Sequence, residues 1–184
     1  MSVSPLIFPS LLPTLHPSVC KIIIANGITP NENQYFAVYT DVKRNGKGYC
    51  AWHSGGRCSG SLSPTTIVQI AFFFDLTGDS GCHVGDTSGL HSQNLADLAS
   101  VTAHELSEAV TDPAQATNSG WYDATGMENG DKCAWSFGAS LVTFTDGSKW
   151  KLQGEWSNAA YLNPSVYPTS YPTTQPNRGC LSGL

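Results

Sequence analysis

The stretch Thr66–Leu76, TIVQIAFFFDL, is the most apolar in the chain. Its β-branched and aromatic residues leave no polar face, so it reads as a buried central strand. The second constraint is a long helical pattern, NLADLASVTAHELSEAVTDP, from Asn94 to Pro113. Asn94 is placed to cap the first turn through its side-chain oxygen. Leu95, Leu98, Thr102, Leu106 and Val110 recur at three- and four-residue steps, an apolar stripe that the helix is expected to bury. The Asp112-Pro113 pair ends it, because proline disfavours the α-region for the residue before it.

Around these two elements the chain divides into three regions. Residues 1–19 form a Pro-punctuated arm read as extended, 20–160 a single domain, and 161–184 a Pro/Ser/Thr-rich tail that Cys180 staples back. Within the domain, strands are expected at Lys21–Ala25, Gln34–Asp41 and Tyr49–Ser54. A hairpin follows from Ser140–Asp146 and Lys149–Gln153, joined by Asp146-Gly147.

With 184 residues, one domain is enough to hold a sizeable core. Charged residues make up only 12%, about half the usual share, and the deficit is filled by uncharged polar residues typical of the cell exterior. A formal charge of −5 and the lack of a basic patch argue against a nucleic-acid partner, and no apolar run is long enough to span a membrane. The six cysteines show no C-x-x-C pair, so disulfides in an oxidising compartment are expected, with fifteen pairings possible. Met1–Ser18 has no basic n-region and is broken by four prolines, which makes a poor signal peptide. The expectation is an extracellular protein whose presequence has been removed from this numbering, or one exported by another route.

The chemistry lies on the helix. His104 and Glu108 are four residues apart and share a face, and Glu105 is rotated about a quarter turn away. This spacing resembles H-E-x-x-H, in which two histidines hold zinc and the glutamate between them activates water. Glu108 stands in the place of the second histidine, and zinc accepts a carboxylate there. Asp97, seven residues before His104, is either placed to orient the imidazole or is a solvated helix carboxylate. His53 is read as a packed or surface histidine, Glu128 and Asp131 as ligand candidates or alternatively as caps of a turn, and His83 and His91 as distant fourth-ligand choices.

Several segments together carry a resemblance: Tyr49–Ser54, Thr102–Pro113, Gly120–Asp123, Glu128–Cys133 and Gln153–Asn158. They resemble the Exordium-like (phosphate-induced) family of plant extracellular proteins, and more closely its bacterial and fungal relatives. In these an H-E-x-x-E-A-x-T-D-P helix precedes a Glu-x-Gly-Asp-x-Cys segment. The resemblance spans roughly residues 35 to 180. It implies a zincin-like α+β domain with the H-E-x-x-E helix lying on a mixed β-sheet. It also implies that His104, Glu108 and Glu128 hold the ion and that Glu105 is the general base. Zinc is the expected metal. Two carboxylate ligands weaken it as a Lewis acid and leave calcium or manganese as alternatives.

Two functions follow. One is a secreted metal-dependent hydrolase, a metallopeptidase of zincin type. The other is a non-catalytic wall or matrix protein in which the same helix holds a structural ion or a hydrogen-bond network. Its partners would be peptides or wall and matrix polymers, or further copies of the chain.

Overall fold

The apolar stretch becomes β3 (Ile67–Asp75), the middle strand of a three-stranded sheet. The computed structural model describes residues 12–31, 33–58, 67–113, 120–167 and 177–181. β1 (Tyr35–Lys43) runs parallel to β3, and β2 (Ala51–Arg57) runs antiparallel to it, so the sheet is mixed. Every residue of β3 from Val68 to Phe74 is buried. Phe72, Phe73, Phe74 and Leu76 form the main core with Tyr49, Ala51 and Val101. β2 alternates, with Ala51 and His53 buried on one face, and His53 pairs across the ladder with Ala71.

α2 (Gln93–Thr111) lies against β2 and β3 and carries Val101 into that core. Its N-cap is Ser92, not Asn94, with the hydroxyl accepting from the Leu95 amide. At the other end the Asp112 amide bonds back to the Glu108 carbonyl. The expected orientation of the helix is overturned. Leu95, Leu106 and Val110 are 47%, 43% and 71% exposed, while Ala96, Asp97, Ser100, His104, Glu105, Glu108 and Ala109 are buried. Periodicity fixes which residues share a face but not which face meets the sheet. Here Ala96, Ser100 and Ala109 are small enough for close approach, and the polar groups find partners inside. Leu95, Leu98, Thr102 and Leu106 instead line an open groove of about 520 Å³ with Tyr39, Phe144 and Trp150.

The N-terminal region also departs from expectation. Leu12–Ala25 is a helix, α1, with Pro17 inside it, not an extended arm followed by a strand. Leu15, Val19 and Ile23 fall four apart and pack with Val68 and Ile70, whereas Ile22 is 61% exposed. A buried helical face therefore overrides the β-propensity of three consecutive isoleucines. The expectation for residues 1–11 lies outside the described residues.

Beyond α2, β4 (Val142–Thr143) and β5 (Lys149–Trp150) form the hairpin around Asp146-Gly147, where Gly147 takes φ +85°. β6 (Glu155–Trp156) leads into α3 (Asn158–Leu162) and pairs with β7 (Cys180–Leu181). Disulfides Cys20–Cys58, Cys50–Cys82 and Cys133–Cys180 use all six cysteines, and the last ties Cys180 to the turn after Gly130. The architecture is α+β.

Candidate metal centre

Helical spacing carries His104, Glu105 and Glu108 on the inward face of α2, towards β2 and the loop after Asp123. That loop tightens into a single 3₁₀ turn, Asp131–Cys133, which is fixed by the Cys133–Cys180 disulfide. The Asp131 amide donates to Glu108 Oε1 at 3.0 Å, which anchors the turn to the helix. Gly130 makes this approach possible. A Cβ there would lie 3.0 Å from each of Glu108 Oε1, Glu155 Oε2 and His104 Nδ1.

Two sets of three side chains result, and each could hold a metal ion: His104, Glu108 and Asp131, and His53, Glu108 and Glu128. Within each set one ligand atom per residue lies within 4.8 Å of the others, and all five residues are buried. His104 Nε2 is 3.2 Å from Glu108 Oε1 and 3.8 Å from Asp131 Oδ1. Donors at zinc-like bond lengths in tetrahedral geometry stand about 3.3 Å apart, so the spacing fits a dication. His53 Nδ1 is 3.2 Å from Glu105 Oε2 and 3.5 Å from Glu108 Oε2, and its Nε2 is 3.5 Å from Glu128 Oε1. His104 Nε2, Asp131 Oδ1 and Glu128 Oε1 are all enclosed without a hydrogen-bond partner. Buried polar atoms in that condition call for an ion or a water.

The charges also suit a cation. Glu105, Glu108, Glu128 and Asp131 converge with two imidazoles, and the Lys and Arg ion pairs among the described residues go to Asp75, Asp79 and Asp123 instead. Burial pushes Glu128 up to about 8, with Glu108 adding repulsion. Asp131 rises to about 7 for the same two reasons, and burial raises Glu155 to about 8. Burial alone would lower His53, but hydrogen bonds to Glu105 and Glu108 outweigh it and lift the ring to about 10. His104 follows the same logic and lies well above an ordinary imidazole, chiefly through Glu108. Glu108 moves the other way, to about 2, because His104 outweighs its burial. Protons therefore occupy the positions that a dication would neutralise.

The structure brings His104, Glu105, Glu108 and Glu128 together, with a different grouping from the one expected. Glu128, expected beside His104, lies with His53 and Glu108, and Asp131 is the carboxylate facing His104 Nε2. Glu105 contacts His53. It also borders a cavity of about 20 Å³ shared with His104, Ser100 and Gln153, room for about one water. Asp97 does not orient His104. Its Oδ1 accepts from the Val84 amide and Gln93, while the Gln153 side-chain amide packs 2.6 Å from His104 Nδ1 and holds the ring in place. His83 lies 3.6 Å from Asp97, and His91 stacks on Trp150. His53, Gln153 and Glu155 are the members sequence reasoning passed over. Only the strand alternation of Ala51 and His53 could have pointed to one of them. No family model matches the chain, and no curated protein or solved structure matches it either.

Proposed function

We propose that this is an extracellular, zincin-like metal-dependent hydrolase acting on peptides, with zinc as the ion and His104, Glu108 and Asp131 as its ligands. The observation that carries this reading is the convergence of His104 Nε2 and Asp131 Oδ1, buried and without hydrogen-bond partners, on Glu108. A dication held there supplies Lewis acidity to a carbonyl and to water. The rest belongs to the chain's own side chains. Glu105 lies beside the water-sized cavity with its carboxylate oriented by His53 Nδ1, and it accepts and returns the proton. Gln153 fixes the His104 ring. Three disulfides support an oxidising compartment, and no helix among the described residues is long and apolar enough to cross a membrane.

A second reading is favoured by burial. His104, Glu105, Glu108, Glu128 and Asp131 are all at most 4% exposed, which suits a structural ion in a matrix protein. Glu105→Gln separates the two. As a hydrolase, the variant keeps its zinc and its melting temperature but loses at least about a hundredfold in peptide hydrolysis, the usual contribution of a general base. Parent and variant equally inactive across a peptide library, both with zinc bound, would leave the structural reading standing.

A further inference from the structure

We infer that Trp135 is a positioning residue of the proposed reaction, its indole N–H holding the reacting water beside Glu105. This rests on the hydrolase reading above and adds a residue that reading does not use. Trp135 lines the cavity of about 20 Å³ together with Ser100, His104, Glu105 and Gln153. The space takes about one water. Trp135 Nε1 is enclosed and has no hydrogen-bond partner among the described residues. An indole nitrogen can only donate, and a buried donor left unpaired is costly. The side chains around it supply no acceptor, whereas a water in the cavity does.

The backbone points the same way. Trp135 has φ +61°, in the left-handed region that a bulky aromatic rarely adopts. Among the described residues the other non-glycine there is Asn45, a residue type that tolerates it. Such a conformation persists only where the surroundings hold it. Here the Cys133–Cys180 disulfide fixes the turn just before Trp135, and the Trp135 amide donates to Gln153 Oε1 at 3.4 Å. The same Gln153 side chain lies 2.6 Å from His104 Nδ1. The costly backbone thus joins Trp135 to the centre twice, by its amide to the glutamine beside His104 and by its indole to the cavity beside Glu105. In the reaction the water accepts from Nε1–H, gives a proton to Glu105 and adds its oxygen to the peptide carbonyl carbon. When the C–N bond breaks, Glu105 returns that proton to the leaving amine, and the indole keeps its own.

The test joins a spectroscopic reading to a kinetic one. In the isotope-labelled full chain loaded with Zn²⁺, the Trp135 indole N–H is expected to show a direct nuclear Overhauser effect to a long-lived water. That measurement needs no variant to fold. Trp135→Phe keeps an aromatic ring in place and removes the N–H. It is expected to retain the parent's zinc content and melting temperature, and to lower kcat for peptide hydrolysis at least about tenfold with KM unchanged. An active parent whose indole contacts no water, or a Trp135→Phe variant that keeps the parent's kcat, overturns the role of Trp135 and leaves the hydrolase reading intact. A parent inactive on every peptide overturns the hydrolase reading and this role with it.

Discussion

At the scale of single residues, Gly130 carries the most consequence for its size. Its Cα sits where three polar atoms of the centre converge, so a methyl group there meets Glu108, Glu155 and His104 at 3.0 Å. Gly130→Ala is expected to cost about 1–3 kcal/mol as overpacking and to abolish metal uptake. Gly147→Ala, at φ +85° with open space around it, costs about 1–2 kcal/mol through backbone strain alone and leaves uptake unchanged. Melting curves and metal content of the two variants check this, and full metal binding by Gly130→Ala would contradict the geometry described. His104, Glu105 and Glu108 were legible in the sequence because one helix fixes their mutual placement. His53 was not, because it arrives from β2, 51 residues before His104, and no local pattern encodes a pairing across that distance. Asp131 was visible as a residue, but its place opposite His104 Nε2 was not. Its role depends on a turn drawn in by its own amide on Glu108 and by the Cys133–Cys180 disulfide.

At the scale of elements, α2 is amphipathic in the reverse sense. Hydrophobic spacing located the helix and its end correctly, and β3 was legible as a central strand because seven buried residues in a row admit no other place. The side of α2 that faces the sheet was not legible, since the interior it meets is lined with buried carboxylates and imidazoles as well as hydrocarbon. Opposite stability effects follow. Val110→Ser, on the apolar but exposed side, is expected to change stability by no more than about 0.5 kcal/mol. Phe73→Ala in β3 is expected to cost about 3–5 kcal/mol. Chemical denaturation of both variants measures this, and a large loss for Val110→Ser would mean that its side of the helix is covered in solution. α1 was hidden for a related reason. Pro13 and Pro17 suggested an extended arm, but the four-residue spacing of Leu15, Val19 and Ile23 supplies a face that the sheet can bury.

At the scale of the whole molecule, the centre draws on β2, α2 and the loop ahead of β4, and two disulfides anchor its outer parts: Cys50–Cys82 ahead of β2 and Cys133–Cys180 beside Asp131. Its response to pH is therefore global. Glu128, Asp131 and Glu155 have folded-state values of about 8, 7 and 8, above those of the unfolded chain. Their contribution to stability is full below the ordinary carboxylate range and is lost as pH rises through 7–8. His53, raised to about 10, likewise loses its contribution as pH climbs from the ordinary imidazole value to 10. Glu108, lowered to about 2, acts only below the ordinary carboxylate range and does not offset the others. Metal-free protein is thus expected to melt at progressively lower temperature from pH 5 to pH 9. Zinc needs deprotonated ligands, so the gap between loaded and stripped protein widens over the same range. Two parallel melting-temperature curves would show that protons and metal do not compete for these groups. The inward-facing polar side of α2 gives the protein the character of an ion-exchange resin: fixed acid groups in a small dry volume, with seats contested by protons and cations. On the proposed reading, what occupies it records the last solution in which it equilibrated, so two preparations made at pH 5 and pH 8 are expected to share a sequence and a fold but differ in composition.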